Sequence, residues 1–109
     1  MKVRIINLTP HPVTVVGQDG EPTHVFMPSV PVPRCREEVV TLGDLDGIPL
    51  VRKTLGQVEN LPDPQEGVYY IVSLAVAQAA RRPDLLVPDD MVRDEQGSIL
   101  GCRRFAVVV

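Results

Sequence analysis

Residues Pro64–Pro83 read PQEGVYYIVSLAVAQAARRP, and the reading of this stretch decides the fold. It opens on a turn at Pro64 and Gly67. Val68-Tyr69-Tyr70-Ile71-Val72 follows, a β-branched and aromatic run of strand length. Ser73 comes next, then LAVAQAARR, a segment of high helix propensity stopped by Pro83. A strand that passes through one serine into a helix gives that serine a capping role. It also turns the free N–H groups of the first helical turn toward any anion at the end of the strand.

Working outward toward the N-terminus, Lys2–Asn7 reads as a strand, and Leu8-Thr9-Pro10-His11-Pro12 interrupts it. Two prolines remove two N–H donors and break a ladder. Val13–Val16 and Thr23–Met27 are the next strands, joined through an Asp19-Gly20 turn. Pro28–Pro33 reads as an extended edge or polyproline-II segment. Arg34–Leu42 and Ile48–Leu55 form a hairpin around Gly43–Gly47, and a polar connection, GQVENLPDPQEG, leads back to the central strand. Beyond the helix, Asp84–Val87 is a short strand ended by Pro88-Asp89-Asp90. Met91–Glu95 and Ser98–Val108 read as a last hairpin. One helix at Leu74–Arg82 against many short strands predicts a single α+β domain over residues 1–109, with a curved, mostly antiparallel sheet. Packing of Leu74 and Ala77 is expected to hold the helix, which is too short to stand on propensity.

The composition sets limits. The chain has 109 residues, 44% of them hydrophobic, which is enough for one core. There is no Trp, and only Phe26, Phe105, Tyr69 and Tyr70 are aromatic, so the core must be largely aliphatic. A net charge of −3 argues against a nucleic-acid partner, which needs a basic face. Nine of the 11 cations are arginine, including the pairs Arg81-Arg82 and Arg103-Arg104, and arginine suits planar recognition of phosphate or carboxylate. No apolar run approaches the roughly 18 residues of a membrane span, and the first residues do not read as a signal peptide. The expectation is a cytoplasmic protein with no membrane partner. Cys35 and Cys102 stand alone and read as buried thiols.

Catalytic motifs are missing from the sequence: no P-loop, dinucleotide fingerprint, H-E-x-x-H or G-x-S-x-G pattern occurs. His11, His24 and the two cysteines are too scattered to read as a metal set, so no metal, cofactor or catalytic residue is expected. Three polar clusters remain. Asn7, Thr9 and His11 lie in the proline-stiffened turn, Ser73 and Gln78 at and on the helix, and Asp89 and Arg93 after the strand that follows it. Each also has a bland reading, as turn hydrogen bonds, a plain N-cap and an acidic loop respectively. In βαβ-like units ligands collect at the C-terminal strand ends, and there these seven residues would form a ligand pocket.

INLTPH near the start, DGIPLVR, LPDPQEGVYYIVS and VPDDMVRDEQGSILG occur in this order across nearly the whole chain. As a set they resemble a family of small bacteriophage and prophage proteins of about this length. The resemblance implies a phage accessory protein made in the bacterial cytoplasm and transfers no catalytic residue. By analogy of setting, it implies a protein that sequesters an immune signal of the host without catalysis. The expected ligand is a small phosphorylated nucleotide, ADP-ribose-like or cyclic. A protein-interaction module acting through Pro28–Pro33 and a small nucleotide-processing enzyme using His11 or an acidic residue as base are the alternatives. A homo-oligomer, most simply a dimer, is expected, because a short chain with an aliphatic core gains from association.

Overall fold

The computed structural model describes residues 2–109. The chain forms β1 (Arg4–Asn7), β2 (Val13–Val16), β3 (Pro22–Phe26), β4 (Arg34–Leu45), β5 (Ile48–Glu59), β6 (Val68–Ile71), α1 (Leu74–Ala80), β7 (Leu85–Arg93) and β8 (Ile99–Ala106). This is an α+β domain with one short helix, and its longest ladders, β4–β5 and β7–β8, are antiparallel. Six strands make one sheet in the order β1-β6-β7-β8-β2-β3, while β4 and β5 pair only with each other. The β1–β6, β6–β7 and β2–β8 pairings are parallel. The sheet curls until its two ends meet. Asn7 of β1 bridges Pro28 just past β3, and the Ser29 N–H donates to the Asn7 carbonyl at 2.8 Å.

The central stretch folds as its sequence indicates. Val68–Ile71 lies between β1 and β7, where both faces can be covered, and this explains its unbroken apolar run. Ser73 is the N-cap of α1: its Oγ accepts from the Val76 N–H at 3.3 Å, and its carbonyl accepts from the Ala77 N–H at 3.0 Å. The helix ends at Arg81, which takes the left-handed conformation and donates its N–H to the Ala77 carbonyl. The inward stripe runs through Val76, Ala77 and Ala80, which turns Leu74 outward with 51% exposure. Leu74 therefore does not hold the helix to the sheet, and Val76 takes the role expected of it. Tyr70, Val72, Leu85 and Leu8 complete the core, and each such side chain contributes about 1.5–3 kcal/mol on burial.

Three boundaries differ from expectation. β7 runs unbroken from Leu85 to Arg93, through Pro88. Its β6 neighbour is last paired at Leu86, so one side of β7 needs no donor where Pro88 stands. The β4–β5 hairpin is longer than read, because the chain turns only at Asp46-Gly47. Both of these residues have positive φ, as a tight two-residue hairpin turn requires. Gly43 sits at a register shift within β4 and is not part of the turn. The helix is also shorter than expected, since Arg82 leaves it to pair with Asp84.

The hairpin gives the molecule its shape. Twelve residues per strand span about 41 Å. The radius of gyration is 17.0 Å, against about 13 Å for a compact chain of this size. Only the base of this arm touches the core, through Cys35 and Val58.

Candidate functional site

Asn7, Thr9 and His11 are brought together, but by one another. Asn7 is 1% exposed. Its Nδ2 donates to the carbonyls of His11 at 2.8 Å and Phe26 at 2.9 Å, and its Oδ1 accepts from the Thr9 N–H at 2.9 Å. The Thr9 hydroxyl lies 2.7 Å from Asn7 Oδ1 and 3.0 Å from the His11 carbonyl oxygen. Every polar atom of the Asn7 side chain is committed within the protein, and of Asn7, Thr9 and His11 only His11 is exposed.

Ser73 lies beside this knot, since Asn7 pairs with Ile71 and the Leu8 N–H donates to the Ile71 carbonyl at 2.8 Å. Gln78 is exposed on α1. Arg93 lies far off. It stands seven residues past Leu86, the position level with Ile71, or about 23 Å along the strand. There its Nη1 donates to the Gly97 carbonyl at 2.8 Å and closes the β7–β8 turn. The seven residues therefore do not converge on one pocket. The parallel β1, β6 and β7 do end together as expected, but Arg93 rides too far beyond that end.

Asp89 leads to a different place. Its Oδ2 accepts from Arg104 Nε at 2.8 Å across the β7–β8 ladder, and this bond holds the Asp89 carboxyl below the usual range and raises the Arg104 guanidinium. Next to this pair, Arg103 lies 3.8 Å from Asp90. Arg103, Arg104 and Phe105 line a cavity of about 250 Å³ together with Ile5, Val15, His24 and Phe26. Four strands supply it, β1 and β3 among them, so it exists only because the sheet curls. Residues i and i+2 of a strand share a face, and the His24 and Phe26 rings lie nearly parallel, with centroids 6.1 Å apart and planes within 4°. Phe105 meets Phe26 in a tilted arrangement at 6.0 Å.

An aromatic wall with two guanidinium groups beside it can take a flat ring and an attached anion. The volume is below the roughly 300–1,000 Å³ of sites for drug-sized ligands, so it accommodates one ring and leaves the rest of a ligand outside. A larger cavity of about 340 Å³ lies beside Pro12, Met91, Leu100 and Cys102, but no charged side chain lines it. Cys102 is buried there and its thiol is pushed up by desolvation, which suits a structural role. The other free cysteine, Cys35, is partly buried at the arm base.

His24, Phe26 and Phe105 are not among the ligand residues expected from the sequence. Their signal was present as an aromatic pair at i and i+2 in one strand and an Arg-Arg-Phe run in another. No group of three or more His, Cys, Asp or Glu side chains able to hold a metal occurs among the described residues. No helix among them is long and apolar enough to cross a membrane. No family model, curated protein or solved structure matches the chain.

Proposed function

We propose that this is a non-catalytic binding protein that sequesters a small phosphorylated nucleotide, ADP-ribose-like or cyclic, as a phage accessory protein acting on a host immune signal. The observation that carries the reading is the cavity walled by His24, Phe26 and Phe105 beside Arg103 and Arg104. A base stacks on the aromatic wall, and the phosphate meets the arginines at the rim. The wall is assembled from strands that the core already fixes, so little ordering is needed on binding. The phage setting and the immune signal rest on the sequence resemblance alone.

The test is to incubate the protein with a nucleotide mixture, remove free ligand, release bound material by heat and identify it by mass spectrometry. Recovery of an intact nucleotide supports sequestration, and recovery of an altered one supports the enzyme reading. Nothing bound overturns sequestration and leaves the interaction-module reading. The exposed segment with Met27 at 65% and Val30 at 87% exposure favours that second reading.

A further inference from the structure

We propose that the β4–β5 arm is a dimer interface, packed antiparallel against the same arm of a second copy. This goes beyond the ligand reading and does not rest on it. Every residue from Arg36 to Leu55 is exposed. An isolated two-stranded hairpin is marginally stable in water, and this one leaves the outer edges of both strands unpaired. Its surface is nonetheless apolar. The register pairs Leu45 with Ile48, Gly43 with Leu50 and Val40 with Arg52, which sets Val40, Leu45, Ile48 and Leu50 on one face. These four side chains are 55%, 61%, 68% and 40% exposed. A contiguous apolar face of this kind on a polar-rimmed surface marks an interaction site.

The charges along the arm select the occupant. The tip, from Thr41 to Val51, contains Asp44 and Asp46 and no cation. The rest of the arm carries Arg34, Arg36, Arg52 and Lys53 against Glu37, Glu38 and Glu59, an excess of one cation. Arg36 pairs with Glu59 and Lys53 with Glu37, so Arg34 and Arg52 have no carboxylate partner among the described residues. Arg52 lies on the apolar face, opposite Val40. Two arms aligned tip to tip would set aspartates against aspartates. Asp44 pairs with Pro49 and so lies on the other face, where its carboxylate accepts from the Gly47 N–H; Asp46 in the turn is the acid that two arms packed antiparallel set over the other's Arg52, with the apolar stripes in between. This arrangement is self-complementary about a two-fold axis, as a closed dimer requires.

Light scattering on the full chain at micromolar concentration is expected to give twice the 12.0 kDa chain mass. Leu45→Asp with Ile48→Asp is expected to give a monomer whose circular dichroism matches the parent and whose unfolding stays cooperative but no longer depends on concentration. The sharper test reverses charge. Asp46→Arg, and separately Arg52→Glu, should each weaken self-association at least tenfold. Mixing the two variants should restore dimers, since the reversed tip then meets the reversed charge at position 52. A parent chain that is monomeric, whether alone or while binding vesicles or another protein, overturns the proposal. So does a dimer indifferent to these variants, or a mixture that stays monomeric.

Discussion

Asn7 Nδ2 donates to the Phe26 carbonyl at 2.9 Å and so joins the strands that stand at opposite ends of the six-strand order. The same side chain ties down the turn at Thr9 and His11. Its removal takes the side-chain partner from the Phe26 carbonyl and the Thr9 N–H, both part-buried, while the His11 carbonyl keeps the Thr9 hydroxyl. Asn7→Ala is therefore expected to lower stability by about 1–3 kcal/mol or more. Urea unfolding of Asn7→Ala and Thr9→Val checks this, and Thr9→Val should cost less because the Asn7 bonds survive it.

Gly101 makes the parallel contact of β8 with β2 possible. A Cβ there would stand 2.6 Å from the Thr14 carbonyl oxygen, and the obstacle is backbone, which cannot swing aside. Gly101→Ala is expected to destabilise by about 1–3 kcal/mol, the usual range for overpacking. The loss should come with faster amide exchange in β2 and β3, which hang from β8. An unchanged midpoint with unchanged exchange would contradict it.

How much of this was legible follows the range of the interactions. Ser73 as a cap, Pro83 as a stop and the hairpin after Arg34 rest on neighbours within a few residues, and the sequence reading found them. Pro88 misled for the same reason. Locally it breaks a strand, but the partner that would have needed its donor ends at Ile71, a fact that only the assembled sheet holds. The Asn7 knot looked like a ligand cluster because its second acceptor, Phe26, is 19 residues away. The aromatic residues carry a local signal, but their meeting in one cavity does not. It depends on β8 lying parallel beside β2, and no local pattern fixes that pairing.

Arg82 and Asp84 form a two-point contact, Nε to Oδ1 at 2.9 Å and Nη2 to Oδ2 at 2.6 Å, and Arg82 Nη1 also donates to the Pro62 carbonyl at 2.9 Å. The Arg82 hydrogen bond holds the Asp84 carboxyl below its ordinary value. The sign follows: the folded state prefers ionised Asp84. The contribution to stability is full above the unfolded value near about 3.9 and is lost as pH falls through the lower folded value. Asp84→Asn should lower neutral-pH stability by about 1.5–3 kcal/mol and flatten the acid decline, as read by urea midpoints from neutral to strongly acid pH.

The last prediction concerns Arg104, whose Nε donates to Asp89. A phosphate at the cavity rim competes with the Asp89 carboxylate for this guanidinium. Removing the arginine and removing its competitor should then act in opposite directions. Arg104→Ala is expected to weaken nucleotide binding by roughly ten- to a hundredfold, the equivalent of one charged hydrogen bond. Asp89→Asn is expected to tighten it, because the guanidinium is released while the strand pairing of Asp89 with Arg104 stays. Phe26→Leu keeps an apolar side chain of similar bulk but removes the ring, so it should weaken binding with little loss of fold. Isothermal titration with the nucleotide recovered by heat release measures all three. If Asp89→Asn and Arg104→Ala weaken binding alike, the ion pair acts as a structural unit and the phosphate lies elsewhere. If neither changes it while Phe26→Leu does, the aromatic wall binds a ring that carries no anion toward Arg104.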